Sequence, residues 1–169
     1  MSKSKILGKM ALIVFTMGII LVGNAVAGEY VTERVTASWY GTSKVIAFGN
    51  DYIYAAFEGF GVWAGDTGKE MLHGAATHNV AEWQFEKGSY SETGGVVWTL
   101  LNGDKIYLKY ISTAKPGEAP KGTITAVGGT GKCAAIEGSG EYTVHPSTPS
   151  VEGAVFQGLV KMKFHYKLP

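Results

Sequence analysis

Cysteine is almost absent from this sequence: Cys133 is the only one among 169 residues, so the chain can form no internal disulfide. A domain of this size can be stable without one, and we expect Cys133 to be a small buried hydrophobe rather than a nucleophile. An excess of charge is also absent, since 15 Lys and Arg residues stand against 14 Asp and Glu residues. This balance argues against nucleic acid or an anionic membrane surface as a partner, because both select basic patches.

A hydrophobic run long enough to span a membrane is missing as well. The run Ala11–Val22 is shorter than the roughly 20 residues that a spanning helix needs. Lysines precede it and the small residues Ala25–Ala27 follow it, which is the order found in a secretory signal peptide. The lysines are Lys3, Lys5 and Lys9. The sequence therefore predicts a signal peptide over residues 1–27, export to a periplasm or to the cell exterior, and no stable membrane anchor after cleavage.

Residues 28–169 are predicted to form a single domain, with 12 basic and 14 acidic residues once the three lysines of the leader are removed. Apolar and polar residues alternate repeatedly along this region, and no helical pattern stands out. The clearest run is Val160–Lys167, where Val160, Met162, Phe164 and Tyr166 alternate with charged or histidine side chains. Because successive strand side chains point to opposite faces, we expect the apolar set to face a core and the lysines to face water.

Turn residues separate the alternating runs. Asn102-Gly103 is the strongest hairpin signal, because both residues tolerate a positive φ, and Gly128–Gly131 marks another break. The runs give eight or nine strands, predicted at Glu29–Tyr40, Lys44–Phe48, Asp51–Trp63, Met71–Phe85, Ser89–Leu101, Lys105–Ser112, Lys121–Val127, Ala134–Val144 and Gly153–Lys167. Such a series favours an all-β fold, a closed antiparallel eight-stranded barrel without exposed edges. A two-sheet sandwich is the alternative, but frequent glycines favour the barrel, whose strongly curved strands need them.

The segment Ile124–Val144 carries a Gly-Gly-Thr-Gly-Lys turn at Gly128–Lys132, then an apolar pair and Gly138–Gly140. It resembles the signature of the allene oxide cyclase-like and dirigent-like barrels. Upstream stretches in the order of bacterial members are Gly59–Gly68, Leu72-His73 and Leu101–Ile106. The resemblance covers about Val45 to Val144 and implies a closed eight-stranded barrel with a central cavity. The catalytic and pocket residues of those families have no position-by-position match here, so the resemblance implies a fold and leaves the activity open.

Motifs for metal, phosphate or nucleophilic chemistry are weak. Gly131-Lys132 precedes Cys133 and a strand pattern, whereas a phosphate-binding P-loop needs Ser or Thr and a helix there. His73 and His78 are five residues apart, and an odd separation places them on opposite faces of a regular strand. No Ser-His-Asp or Cys-His order stands out, although a carboxylate pair formed across strands would be invisible in the sequence. We therefore predict no metal site and no cofactor.

The tryptophans are the most informative residues. Trp39, Trp63, Trp83 and Trp98 fall at alternating positions and, with His73, make up the predicted ligand-binding set. They either fill the core of a small barrel or line a cavity for an apolar ligand. A Trp ring suits a pocket because it offers an apolar body with a polar tip.

The sequence leaves three functions open. The first is a non-catalytic exported barrel that binds a small hydrophobic molecule. The second is a cyclase-type or isomerase-type enzyme that holds an apolar substrate in one shape. The third is a structural subunit, for example of a homo-oligomer. A cavity with a buried polar group beside the tryptophans would favour the enzyme, and a filled barrel with an exposed apolar patch would favour assembly.

Overall fold

The computed structural model describes residues 28–49, 51–147 and 155–169. They form eight strands and one short 3-10 helix, Gly131–Cys133. The strands are β1 (Val31–Ala47), β2 (Tyr52–Gly65), β3 (Ala76–Glu86), β4 (Ser89–Thr99), β5 (Lys105–Ala114), β6 (Lys121–Gly129), β7 (Glu137–Pro146) and β8 (Val155–Lys167). Within these ranges no helix is long and apolar enough to cross a membrane. The predicted signal peptide, residues 1–27, lies outside the described residues.

The eight strands close into a barrel in chain order. Each strand pairs antiparallel with the next, and β8 pairs antiparallel with β1, where Val35 lies opposite Met162. Closure leaves no edge strand with unpaired backbone N–H and C=O groups. The predicted all-β fold, a closed antiparallel eight-stranded barrel, is confirmed, and the two-sheet sandwich is not formed.

The predicted break after Tyr40 is wrong. Because the chain continues there as one strand, eight strands form rather than nine. Residues 41–43 remain paired with β2, with Gly41 opposite Gly59, so β1 continues without interruption to Ala47. The ring of Phe57 occupies the space that a Cβ at Gly41 would need. Glycine at this position allows an aromatic ring to pack against the backbone, and it makes no turn.

The predicted start of β3 at Met71 is also wrong, because residues 66–75 form a loop. The carboxylate of Glu70 accepts hydrogen bonds from the backbone N–H groups of Thr67 (2.8 Å) and Lys69 (3.0 Å). These bonds, above all the one from Thr67, lower the pKa of Glu70 to about 2. Leu72 extends from the loop into the barrel and is fully buried. The loop therefore covers one end of the barrel.

The alternation predicted for the last strand is confirmed. Met162, Phe164 and Tyr166 of β8 are buried, while the intervening residues Lys161, Lys163 and His165 are exposed. Phe164 is fully buried and packs edge-to-face on Trp98, with ring centroids 5.1 Å apart. The inward faces of the strands thus build a core at the end that the 66–75 loop covers. We call this end, built around Glu33, Leu72, Trp98, Cys133 and Phe164, the packed end.

The predicted role of Cys133 as a small buried hydrophobe is confirmed, because only 1% of its surface is exposed. Burial raises the pKa of its thiol, and the nearby carboxylate of Asp104 adds to that rise. A neutral buried thiol is a poor nucleophile, since the thiolate is the reactive form. The cysteine therefore serves as core packing at the end of the 3-10 helix.

The Gly-Thr-Gly-Lys turn binds a carboxylate of this same chain. Gly131 has a φ of 55°, and the backbone N–H of Lys132 donates to Asp104 Oδ2 at 3.1 Å. The Thr130 hydroxyl accepts a hydrogen bond from the N–H of Lys105 at 2.8 Å. The turn is therefore a structural clamp between the β4–β5 hairpin and the start of the 3-10 helix.

Glu33 is a buried carboxylate at the packed end, with 7% of its surface exposed. Its Oε1 accepts the N–H of Met71 at 2.6 Å and the hydroxyl of Tyr166 at 2.8 Å, and its Oε2 accepts the N–H of Leu72 at 3.3 Å. Buried charged groups are tolerated only when such partners replace water. Glu33 thereby ties the 66–75 loop to β1 and β8.

Candidate functional site

The other half of the barrel interior holds a cavity of about 340 Å³. All four tryptophans of the sequence line it, together with aromatic and aliphatic side chains from the inward faces of the strands. Further lining residues include Phe57, Asn79, Tyr90, Glu92, Val96, Tyr110, Ile124, Tyr142, Val144, Phe156, Val160 and Met162. The barrel is therefore hollow at one end and filled at the other.

Tryptophans form the boundary between the cavity and the packed end. The rings of Trp63 and Trp98 lie edge-to-face, with centroids 5.4 Å apart and planes at 73°. Trp39 makes a similar contact with Phe57, at 5.8 Å and 81°. Edge-to-face packing places the positive edge of one ring over the negative face of another. These contacts give the cavity a rigid apolar wall.

A carboxyl group with two phenols is the main polar feature of the cavity. The hydroxyl of Tyr110 donates to Glu92 Oε1 at 2.8 Å, and the hydroxyl of Tyr90 donates to Glu92 Oε2. Asn79 extends the network by donating from Nδ2 to the hydroxyl of Tyr110 at 3.1 Å. We call Glu92, Tyr90, Tyr110 and Asn79 the carboxyl–phenol cluster.

Strand register brings the cluster together. Tyr90 and Glu92 are two residues apart on β4, so both point into the barrel. Glu92 lies opposite Trp83 on β3 and opposite Ser112 on β5. Gly94 allows the Tyr110 ring to lie close to β4, because a Cβ at Gly94 would stand 2.9 Å from the ring. The cluster thus spans three neighbouring strands.

Tyr142 of β7 completes the wall facing the cluster. Its ring packs edge-to-face with that of Tyr110, at a centroid distance of 6.2 Å. The hydroxyl of Tyr142 donates to the backbone oxygen of Ile111 at 3.2 Å. Because Gly122 on β6 has no Cβ, the phenol ring can lie directly against that strand. We call the half of the barrel around Trp83, Tyr90, Glu92, Tyr110 and Tyr142 the cavity end.

Burial shifts the acid–base properties of the cavity end. It raises the pKa of Glu92 above its ordinary value, although the hydrogen bonds from Tyr90 and Tyr110 act in the opposite direction. Burial and the nearby carboxyl of Glu92 raise the pKa of Tyr90, Tyr110 and Tyr142, so the three phenols stay neutral across the physiological range. Burial therefore favours the neutral form of all four groups.

The structure brings together four of the five residues in the predicted ligand-binding set. Trp39, Trp63, Trp83 and Trp98 all line the cavity, and Trp83 also donates from Nε1 to Ser43 Oγ at 3.2 Å. His73 does not join them. It is exposed in the 66–75 loop, where its Nδ1 accepts the backbone N–H of Gly65 at 3.2 Å. The loop belongs to the packed end, so His73 lies away from the cavity.

The other histidines also lie apart from the cavity. His78 is exposed on the outer face, where its Nε2 lies 2.9 Å from Glu58 Oε1 and its ring stacks on Phe60. His165 is exposed and contacts Thr32 through Nδ1 at 2.8 Å. Among the residues that the structure describes, no group of three or more His, Cys, Asp or Glu side chains is arranged to hold a metal ion.

Sequence reasoning missed Glu92, Tyr90, Tyr110 and Tyr142. One signal for Glu92 was present, because Tyr90, Glu92, Val96 and Trp98 all share the inward parity of one strand. A lone carboxylate on the apolar face of a strand marks either a buried partner or a site. Of the two hydrogen-bond partners of Glu92, Tyr90 lies on the same strand, but Tyr110 lies on β5 and comes within reach only through the strand register.

No protein-family model, no curated protein and no solved structure matches this chain. The chemistry of the cavity therefore carries the functional conclusion.

Proposed function

We propose that this barrel is an exported protein that binds a small hydrophobic molecule in its interior. The observation that carries the proposal is a largely apolar, tryptophan-lined cavity with the carboxyl–phenol cluster in its wall. Binding sites for small molecules have this composition, in which apolar walls supply affinity and a few polar groups fix orientation. Trp98 and Phe164 close the side of the cavity that faces the packed end.

The size of the cavity limits the ligand. At ~30 Å³ for each water molecule, a volume of about 340 Å³ corresponds to roughly eleven waters. This is near the lower end of the range for ligand pockets, about 300–1,000 Å³. The proposed ligand is therefore a compact molecule of one or two rings or a short chain, and a full-length lipid would extend out of the barrel.

Native mass spectrometry of protein purified from an exporting host tests the proposal, with solvent extraction of the same sample. A retained small molecule would support a binding function, and the mass of the processed chain would test cleavage after Ala27. The same spectrum reports whether copies of the chain associate.

We also propose that the barrel forms a homo-oligomer. The exposed aromatic side chains of Tyr40 and Phe60, which lie on neighbouring strands, support this proposal.

A matched pair of variants separates cavity binding from surface binding. Val144→Trp places a large ring in the cavity wall, whereas Val80→Trp adds the same ring on the exposed outer face of β3. We expect Val144→Trp to weaken binding of phenylbutanol about tenfold or more, because the ring occupies the ligand volume. Fluorescence titration measures this. Equal affinity of both variants would contradict binding inside the barrel.

Membership in the allene oxide cyclase-like and dirigent-like barrels also stands as a proposal. The Gly128–Lys132 motif and the closed eight-stranded barrel support it. It adds no catalytic residue, because the matching motif lies at the packed end.

An enzyme of the isomerase or cyclase type is the second candidate, and Glu92 is the observation that favours it. A carboxyl group with a raised pKa beside an apolar cavity is suited to general acid–base catalysis. Incubation of the extracted molecule with the protein in D₂O tests this candidate. Deuterium uptake at carbon with the wild type, and not with Glu92→Gln, would support catalysis, whereas no uptake with either would argue for plain binding.

A further inference from the structure

We infer that the molecule bound in this barrel is a hydrophobic primary amine, held with its ammonium group against Glu92 and its apolar body among the tryptophans. The inference rests on the proposed binding function and deepens it by naming the head group of the ligand. Three features carry it: the charges that line the cavity, the acceptor sites left on Glu92, and the aromatic rings around that carboxyl group.

Negative charge, and no positive charge, is present among the described residues that line the cavity. Among the described residues that line it, Glu92 is the only carboxylate, and no Lys, Arg or His is present. A ligand carboxylate or phosphate would enter a poorly solvated space that holds a carboxyl group and no positive partner. Burial of an unpaired charge is strongly unfavourable. The cavity therefore selects against anionic ligands such as fatty acids.

Acceptor capacity remains on Glu92. Each oxygen of its carboxylate receives one phenol hydrogen bond, from Tyr110 on Oε1 and from Tyr90 on Oε2. A carboxylate has about four lone-pair sites, so both oxygens can accept further donors. Glu92 is only partly exposed and lines the cavity, so those further donors have to come from water or from a ligand. A primary ammonium group, with three N–H donors, satisfies this requirement.

Aromatic rings surround the carboxyl group. Trp83 lies opposite Glu92 on the neighbouring strand, and its ring centroid is 6.1 Å from that of Tyr90 and 6.2 Å from that of Phe156. On the other side, Tyr110 and Tyr142 pack edge-to-face. Ring faces attract cations, most strongly where water is excluded. An ammonium group at this position would thus lie beside a carboxylate and among aromatic rings.

The site also predicts how binding depends on pH. Burial raises the pKa of Glu92, so at low pH the carboxyl is neutral and loses its attraction for a cation. The titratable groups facing it are Tyr90 on β4, Tyr110 on β5 and Tyr142 on β7, and all three remain neutral because their pKa values are raised. The side chains that line the cavity from β1, β2, β3, β6 and β8 do not titrate. Affinity for an amine should therefore rise with pH as Glu92 ionises.

Three probes with one apolar body and different head groups test the inference. Phenylbutylamine, phenylbutanol and phenylbutyrate are titrated into the purified protein at pH 8 and pH 5, with tryptophan fluorescence and calorimetry as readouts. We expect the amine to bind about ten- to a hundredfold more tightly than the other two at pH 8, as a charge-assisted hydrogen bond implies. At pH 5 this preference should shrink, although the amine itself remains charged.

Two variants with the same change of charge locate the preference. Glu92→Gln keeps the size of the side chain and should bring the amine to within about threefold of the alcohol. Glu82→Gln removes a carboxylate from the exposed face of the adjacent strand β3 and should retain the wild-type preference. Near-ultraviolet circular dichroism checks that both variants are folded.

The outcomes separate this inference from the proposed function. Equal or tighter binding of phenylbutanol or phenylbutyrate would overturn the amine inference and leave hydrophobic binding in place. An amine preference that survives in folded Glu92→Gln would overturn it as well. If none of the three probes bound, the proposed binding function itself would be contradicted.

Discussion

Each end of this barrel contains a buried or half-buried carboxyl group, and the two groups have different kinds of partners. Glu33 at the packed end accepts two backbone N–H groups and one phenol. Glu92 at the cavity end lines an open volume, and within the described part of the chain it accepts hydrogen bonds from two phenols and from no backbone N–H. Backbone donors belong to the fold and are present whether or not a ligand binds. A carboxyl group satisfied by them is structural, whereas one held by side chains beside a cavity is available for chemistry.

The tryptophans show the same contrast. Trp98 is fully buried between Trp63 and Phe164, while Trp83 is half-buried and faces the cavity. Large aromatic side chains contribute to stability through the area that they bury. A ring with an open side contributes less to stability and leaves a surface on which a ligand can pack. We therefore expect stability to depend mainly on the packed end, and the proposed binding on the cavity end.

The largest expected effect comes from the tryptophan comparison. Trp98→Ala should lower the free energy of unfolding by about 3–5 kcal/mol, because it removes a fully buried ring that packs on Trp63 and Phe164. Trp83→Ala should cost less, since its ring already borders empty space, but it should weaken ligand binding. Urea denaturation measures the first effect and fluorescence titration the second. Equal losses of stability in both variants would remove the distinction between the two ends.

A smaller effect is expected from Glu33→Gln. The amide oxygen can replace one carboxylate oxygen, but the amide NH₂ group then faces the N–H of Leu72 as a second donor. Loss of a buried hydrogen bond of this kind costs about 1–3 kcal/mol. Denaturant unfolding at pH 7 is the measurement, with Glu82→Gln as an exposed control. An unchanged unfolding midpoint would indicate that Glu33 is not the tie between the 66–75 loop and the barrel.

The smallest expected effect is that of Glu92→Gln, which should raise the stability of the barrel rather than lower it. The pKa of Glu92 in the folded barrel lies above its ordinary value of 4.5. Below that value the carboxyl is protonated in both the folded and the unfolded chain, so it contributes no difference. As the pH rises above it, the unfolded chain ionises first and the folded barrel loses relative stability. Glu92→Gln should therefore melt at a higher temperature than the wild type at pH 8, and at the same temperature at pH 4.

Thermal melts at both pH values measure this change. A wild type that gains stability relative to Glu92→Gln between pH 4 and pH 8 would show that the carboxylate is well stabilised in the folded state. That result would make Glu92 a structural group like Glu33 and would erase the contrast between the two ends.

Individual residues show why some features were predictable and others were not. Alternation along β8 placed Met162, Phe164 and Tyr166 in the core, because strand geometry alone fixes which face a side chain occupies. Gly41 was predicted to lie in a break between strands. The sequence alone does not show whether a glycine makes a turn or accommodates a ring such as that of Phe57. Met71 was predicted to begin a strand, because its bond to Glu33, 38 residues away in the chain, leaves no local signal in the sequence.

The sequence by itself determined that the chain is all-β, that its strands follow one another in antiparallel order, and that its tryptophans point inward. Each of these features depends on the local alternation of apolar and polar residues and on the turn residues between the strands. The tertiary structure alone decided that the 66–75 loop packs into one end of the barrel and that the described residues leave a cavity at the other, because local sequence patterns do not show where a loop packs. It also decided that Glu92 meets Tyr110 and Trp83, since cross-strand register places residues from β3, β4 and β5 side by side.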